Sequence, residues 1–134
     1  MTIRITIFIK KLPTVSIEHF HKYWSEEHPK IFLSVPIVQK NLTHYQQFHT
    51  DPNISAELRK MGLPIAEYDG GAEFFANSVE DAMAVFQDPE YHRVVVPDEM
   101  TFLDRDAASM MIGTTEVKWE DGKPAEGIKV DLVQ

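Results

Sequence analysis

The first ten residues constrain the fold more than any other part of the chain. Residues 3–10 alternate strictly, so that four isoleucines share one face of a strand while the opposite face mixes polar and charged side chains with Phe8. A strand with one apolar face must cover that face with another layer of structure. The chain therefore begins with the first strand of a layered domain.

An amphipathic helix is predicted directly after this strand. Ser16 is a suitable N-cap, and Phe20, Trp24 and His28 recur at a spacing of four on one helix face. Pro29 cannot continue the helix, which places His28 at a break beside an apolar face. This is a favourable position for a general acid or base. The alternative is a partly buried histidine whose ring nitrogens are both satisfied locally.

The remaining pattern completes a β-α-β-β-α-β order. Its further elements are strands at 42–49, 68–77 and 107–117, a helix beginning at Ser78 and restarting at Asp88-Pro89, and a short helical insertion at 56–61. Gly70-Gly71 in the third strand predicts a bulge or a close backbone approach. The order predicts an α+β, ferredoxin-like fold with both helices on one face of the sheet. The uncovered face predicts a homodimer of face-to-face sheets, and the cleft between sheet and helices predicts a small-molecule pocket.

Composition excludes several classes of function. The chain has no cysteine, which removes disulfides, thiolate nucleophiles and cysteine metal sites. Its net charge of −8 and the absence of a basic stripe disfavour a nucleic-acid partner. None of the six histidines has a recognised zinc spacing, so no metal is expected. No signal peptide or transmembrane segment is expected either, which predicts a cytoplasmic protein without a membrane partner.

The helix motif resembles a known family. Ser-x-Glu-x-Phe-x-x-Tyr-Trp-x-x-x-His-Pro, residues 16–29, is similar to the EthD-type branch of dimeric α/β-barrel proteins. The helix start Asp88-Pro89-Glu90-Tyr91, with Asp98 and Phe102 downstream, also resembles that family. The resemblance implies one domain, residues 1–118, followed by a C-terminal extension, residues 119–134.

Residues 31–51 resemble a narrower group, the EthD-type decarboxylases of fungal aromatic polyketide pathways. This likeness implies removal of carbon dioxide from an anthracenone carboxylic acid of the atrochrysone carboxylic acid type. Such a substrate contains its own electron sink, so no cofactor is expected. The reaction needs a donor for the developing enolate or phenolate oxygen, a proton source for the carbon, and an apolar pocket.

The site residues follow from this resemblance. His28 is expected to act as the acid or oxyanion donor, His49 or else His44 to hold the carboxylate or deliver the proton, and Glu73 to orient a histidine. The substrate is expected to contact an aromatic and polar set that comprises Phe20, Tyr23, Trp24, His44, Tyr45, Phe75, Tyr91 and His92.

Other functions fit the same residues. A cofactor-free anthrone monooxygenase would use the same fold and apolar pocket, and a cyclase, dehydratase or isomerase would use the same histidines. A protein of another class, which binds a polyketide without turning it over, would tolerate loss of His28. The mass of the product distinguishes these alternatives.

Overall fold

The computed structural model describes residues 1–134 and contains an antiparallel sheet with helices packed on one face. In chain order the elements are β1 (Ile3–Ile9), α1 (Ile17–Glu26), α2 (His28–Phe32), α3 (Pro36–Asn41), β2 (Leu42–His49), α4 (Pro52–Lys60), β3 (Gly70–Ala76), α5 (Val79–Gln87), a π-helical turn (Tyr91–Val95), α6 (Val96–Glu99), a 3₁₀ turn (Arg105–Ala107), β4 (Ser109–Gly113), β5 (Trp119–Glu120) and β6 (Lys123–Pro124).

The main sheet has the strand order β2-β3-β1-β4, and every neighbouring pair is antiparallel. This arrangement confirms the predicted ferredoxin-like α+β fold. The register places Ile5 beside Phe74 on the face that packs against the helices, and Thr6 beside Glu73 on the other face. We call this other face the open face, because no helix of the main layer covers it.

Helix α1 anchors the core against the covered face of the sheet. Ser16 accepts a hydrogen bond from the backbone N–H of His19, which caps the helix as its position in the sequence predicts. Phe20 and Trp24 are fully buried with Phe102, and the ring of Phe20 lies within about 6 Å of the rings of the other two. The aromatic stripe of the sequence is therefore core, and its end faces the cavity described below.

The predicted helix break is present. Helix α1 ends at Glu26, and α2 begins with His28 and has Pro29 in its first turn. Proline is tolerated there because the first N–H groups of a helix have no intrahelical partner. The break turns the chain so that His28, 5% exposed, points into the protein interior.

Gly70 shows the predicted close approach. A Cβ atom added at Gly70 would lie 2.5 Å from Cζ3 of Trp24 and 2.7 Å from the carbonyl oxygen of Phe48. The register shift of the sheet lies elsewhere, between Leu42 and His44 of β2. Glycine is therefore required at this position, because a side chain would occupy the space in which the indole ring of Trp24 packs against the start of β3.

Several element bounds differ from the prediction. Helix α4 is longer than expected, because Asp51 caps it and Pro52 fits its first position. Strand β4 is shorter than the predicted 107–117, since β1 pairs with it only over residues 109–113. Beyond it, β5 and β6 form a separate small hairpin. No helix in the structure has the length and apolar character that crossing a bilayer requires.

Candidate active site

A cavity of about 260 Å³ lies between the covered face of the sheet and the helices. Its walls are mainly apolar, and the sheet and the helices both contribute aromatic side chains to them: Trp24 of α1, Phe32 of α2, Tyr45 of β2, Phe74 of β3 and Tyr91 of the π-helical turn. The volume is close to the lower end of ordinary ligand pockets, about 300 Å³. The cavity is suited to a compact, flat, apolar molecule.

His28 lines this cavity and is held by Asp98. Its Nδ1 lies 2.7 Å from Oδ2 of Asp98, and both side chains are less than a tenth exposed. A carboxylate can only accept, so Nδ1–H donates to Asp98 and Nε2 keeps its lone pair. Nε2 has no hydrogen-bond partner in the protein. It is also not completely buried. The ring therefore presents a free basic nitrogen to the cavity.

Tyr23 is a third member of the group formed by His28 and Asp98. The hydroxyl of Tyr23 donates to Oδ1 of Asp98, so each carboxylate oxygen has its own donor. That hydrogen bond, together with burial, raises the pKa of Tyr23 to about 12 and keeps the phenol protonated. Burial lowers the pKa of His28, and Asp98 opposes this effect only in part. The imidazole is therefore neutral at pH 7, as a general base must be.

A second polar cluster borders the same cavity. The hydroxyl of Tyr91 lies 3.2 and 3.3 Å from the two carboxylate oxygens of Glu99, and Nε of Arg105 lies 3.4 Å from one of them. Burial raises the pKa of Glu99 to about 7, with Arg105 and Tyr91 opposing the shift. A carboxyl group in this state is able to donate a proton near neutral pH.

Glu73 lies on the opposite side of the sheet from His28. It ion-pairs with Arg4 and accepts hydrogen bonds from Thr6 (3.1 Å) and from Gln46 (2.9 Å). All of its partners are on the open face, and none is a histidine. The expectation that Glu73 orients a catalytic histidine does not hold for His28, because the sheet separates its carboxylate from the His28 cavity. The link from Glu73 to a histidine runs through Gln46, whose Oε1 lies 2.8 Å from Nε2 of His44 on the open face.

His49 does not share a cavity with His28. Its Nδ1 lies 2.6 Å from Nδ1 of His21, and its Nε2 lies 2.8 Å from Oε1 of Gln47. It lines a larger cavity of about 810 Å³, which lies over the open face and is bordered by α4 and residues 64–68. The expected pairing of His28 and His49 across one cleft is therefore wrong. His49 stays at the end of β2, beside the ring of Trp24.

The other predicted contact residues divide between the two faces. Trp24, Tyr45, Tyr91 and His92 border the His28 cavity, with His92 exposed at its edge. Phe20 is core and Tyr23 acts through Asp98; neither lines the cavity. His44 and Phe75 pack against each other on the open face, with ring centroids 5.1 Å apart. The prediction that these two residues line the cavity is wrong, because alternation along their strands places their side chains on the open face of the sheet.

Two acidic side chains at this site have roles that the sequence did not indicate. Asp98 is part of the family-like motif, but its contact with His28 spans 70 positions of the chain. Glu99 and Arg105 were not identified at all. The available signal was the pair of acids directly after Val96-Pro97, at the start of a short helix in an otherwise apolar segment. No group of three or more His, Asp or Glu side chains is arranged to hold a metal ion.

Comparison with known proteins gives relatives over most of the chain. The profile of the EthD domain family matches residues 12–106. Three curated fungal relatives are similar at low identity. They are the decarboxylase claH of Passalora fulva (25% identical, over 93% of this chain and 83% of the relative), the dehydratase aurZ of Gibberella zeae (24%, 89% and 80%) and the conidial pigment biosynthesis dehydratase EthD of Metarhizium robertsii (25%, 89% and 86%).

Solved structures share the fold at still lower identity. They include an EthD-like protein from Ralstonia eutropha (TM-score 0.59, 14% identical, over 90% of this chain and 96% of that one), a dimeric ferredoxin-like protein from Thermobifida fusca (0.55, 14%, 86% and 92%) and SnoaB, a cofactor-independent oxygenase from Streptomyces nogalater (0.54, 5%, 87% and 94%). At these identities the likeness establishes the architecture and not the reaction.

Proposed function

Because the chain belongs to the EthD domain family, and its curated relatives are named as one decarboxylase and two dehydratases, we propose that it is a cofactor-independent decarboxylase. Its substrate is an aromatic polyketide carboxylic acid of the anthracenone type, and the setting is fungal pigment-like metabolism. The observation that carries the proposal is the neutral His28, held through Nδ1 by Asp98, with Nε2 free at an aromatic-walled cavity.

The proposed reaction is a proton shuttle through one imidazole. Nε2 of His28 accepts the carboxyl proton of the substrate, and the resulting imidazolium is stabilised by Asp98. The bond to the carboxyl carbon breaks, its electron pair moves into the ring carbonyl to form an enolate, and carbon dioxide leaves. The imidazolium then returns its proton to the ring carbon. The aromatic walls disfavour a localised carboxylate and so favour its loss.

A second candidate is dehydration of a β-hydroxy ketone from the same class of polyketide. The names of two relatives and the basic state of Nε2 favour it, because elimination begins when a base removes the proton next to a carbonyl. The same residues serve both reactions. They differ in whether the substrate loses carbon dioxide or water.

The experiment that tests both candidates is mass spectrometry of the products. An anthracenone carboxylic acid, generated in situ by its polyketide synthase and thioesterase, is incubated with the purified protein and EDTA. Loss of carbon dioxide faster than in a protein-free control supports the decarboxylase, and loss of water supports the dehydratase. A product heavier by oxygen, or unchanged acid, contradicts both.

Matched histidine variants test the site. His28→Gln is expected to lower kcat by roughly 10²- to 10⁴-fold, the usual contribution of a general acid–base group. His49→Gln is the control, since His49 borders the other cavity. If His28→Gln keeps full activity, the site assignment fails even where turnover is observed.

We also propose that two copies pair through their open faces. The exposed side chains Phe48 and Met111 project from this face, which no element of the main helical layer covers. A structural relative is described as a dimeric ferredoxin-like protein, which supports the pairing of two copies. Residues 119–134 are proposed to act as an extension that lies outside the catalytic domain.

A further inference from the structure

Glu99 is one of several ionisable groups that line the cavity and that the mechanism above does not use. Glu99 borders the cavity, its side chain is 15% exposed, and its carboxylate is on the residue that follows Asp98. A buried carboxyl group is costly as an anion unless it is fully paired. The polar contacts of Glu99 show whether that pairing is complete.

The contacts of the Glu99 carboxylate with Arg105 and Tyr91 are weak. Arg105 approaches one oxygen at 3.4 Å and is itself 44% exposed, so solvent screens its charge. Tyr91 donates one hydroxyl hydrogen to two oxygens at 3.2 and 3.3 Å, which is a shared and long contact. The neighbouring Asp98 adds negative charge nearby. The environment therefore favours the protonated, uncharged form of Glu99.

We propose, on the basis of the lyase function above, that Glu99 is a second catalytic group that donates its carboxyl hydrogen to a substrate carbonyl oxygen in this cavity. It stabilises the enolate that forms when the bond to the leaving group breaks. His28 then handles the proton of the leaving group while Glu99 holds the oxygen. The carbonyl oxygen of the substrate, which receives the electron pair, thereby accepts a hydrogen bond from Glu99, and no metal is needed to stabilise it.

The titration of Glu99 supports this division of roles. Burial raises its pKa to about 7, while Arg105 and Tyr91 act in the opposite direction. The titratable or charged groups around the cavity or in contact with Glu99 are Asp98 of α6, Tyr91 and His92 of the π-helical turn, Asp104 and Arg105 after α6, His28 of α2 and Tyr45 of β2. Donation to a carbonyl should therefore weaken as the pH rises through about 7.

A binding experiment tests this without turnover. The probe is 1-tetralone, a bicyclic aryl ketone that accepts a hydrogen bond and has no ionisable group. Its Kd is measured by quenching of tryptophan fluorescence, since Trp24 lines the cavity. Between about pH 5.5 and about pH 8.5 we expect the Kd to rise about three- to tenfold, the value of one hydrogen bond. A Kd that does not change with pH, or no detectable binding, overturns the proposal.

Three variants assign the effect to Glu99. In Glu99→Gln the amide still donates but does not titrate, so the pH dependence should disappear while binding persists. Arg105→Gln removes a cation that favours ionised Glu99, so the transition should move to higher pH. Glu90→Gln is the control, because Glu90 forms only a surface ion pair with Arg93. Persistence of the pH dependence in Glu99→Gln overturns the role of Glu99.

The same variants apply to turnover. If the wild-type protein decarboxylates or dehydrates its substrate, kcat/KM should fall above about pH 7, and Glu99→Gln should abolish that limb. An unchanged profile in Glu99→Gln refutes the Glu99 role and leaves the lyase function standing. Absence of turnover with a pH-dependent tetralone Kd refutes the lyase function and retains the donor role of Glu99.

Discussion

At the scale of single residues, Asp98 determines which nitrogen of His28 is basic. It accepts from Nδ1 of His28 and from the hydroxyl of Tyr23, so both of its oxygens are occupied by donors. Because the proton is fixed on Nδ1, the free lone pair is directed to the cavity through Nε2. A change at Asp98 therefore alters the chemistry of His28 without removing it.

We expect Asp98→Asn to lower kcat by at least about 100-fold with little change in KM. The amide of the variant offers a hydrogen to Nδ1, which favours the opposite tautomer and leaves no lone pair on Nε2. Steady-state kinetics checks this, with exposed Asp106→Asn as the matched control. A KM effect with an unchanged kcat would show that Asp98 only shapes the cavity.

Glu99 makes a separate prediction about stability. Its pKa of about 7 in the folded protein lies above the usual value for glutamate, so the folded state binds more protons than the unfolded state between about pH 4.5 and 7. Stability from this group is present at low pH and lost as the pH rises. Glu99→Gln should therefore gain stability relative to wild type, by on the order of 2 kcal/mol between pH 5 and 8.

Urea unfolding of both proteins across this pH range provides the measurement. Burial lowers the pKa of His28, His21 and His49, which makes stability fall on acidification below about pH 6.5, the opposite sign. These histidines are present in both proteins, so their effect cancels in the difference. A difference that is constant with pH would contradict the raised pKa of Glu99.

At the scale of elements, the close approach of β3 to α1 sets a strict steric condition. Gly70→Ala should destabilise the protein by about 1 to 3 kcal/mol, because the added methyl group meets the indole of Trp24 and the backbone of Phe48. Gly71→Ala is the matched control, since its added Cβ has no neighbour closer than 3.8 Å. Thermal unfolding of both variants checks the difference, and equal losses would refute the steric explanation.

The elements were largely predictable, because each depends on local rules. The β2 bounds agree with the structure since alternation and β-forming residues cover the whole of 42–49. Ser16 and Ser78 cap their helices as predicted, since a cap needs only a side chain three positions away. The π-helical turn at Tyr91–Val95 was predicted as ordinary helix, because its extra residue leaves no mark in the apolar spacing.

The site was predictable only in part, because it depends on contacts between distant segments. His28 was identified from its own helix, where the proline break and aromatic face are visible. Its partner Asp98 comes from another helix, and no periodicity connects the two. The strand that carries Glu73 was predicted, yet only the register of the whole sheet decides that the side chain of Glu73 lies on the face away from His28.

At the scale of the whole molecule, no helix of the main layer covers the open face, which α4 and residues 64–68 only border. We expect Met111→Glu to convert a dimer into a monomer in size-exclusion chromatography with light scattering. Met111 is 65% exposed beside Thr6, and a carboxylate buried between two sheets would lack a partner. Val79→Glu is the control, because Val79 is exposed on the helical layer. A wild-type monomer would refute the proposed pairing.

The π-helical turn also bears on how new reactions arise in such a fold. It contains one more residue per turn than an α-helix, and it lies directly before the helix that carries both Asp98 and Glu99. Deletion of a single codon there would close this wide turn to α-helical geometry and shift the residues that follow it. Both acids would then leave their partners together. The smallest length mutation available to a gene would thus displace both acids of the site in one step, while His28 and the sheet stayed in place.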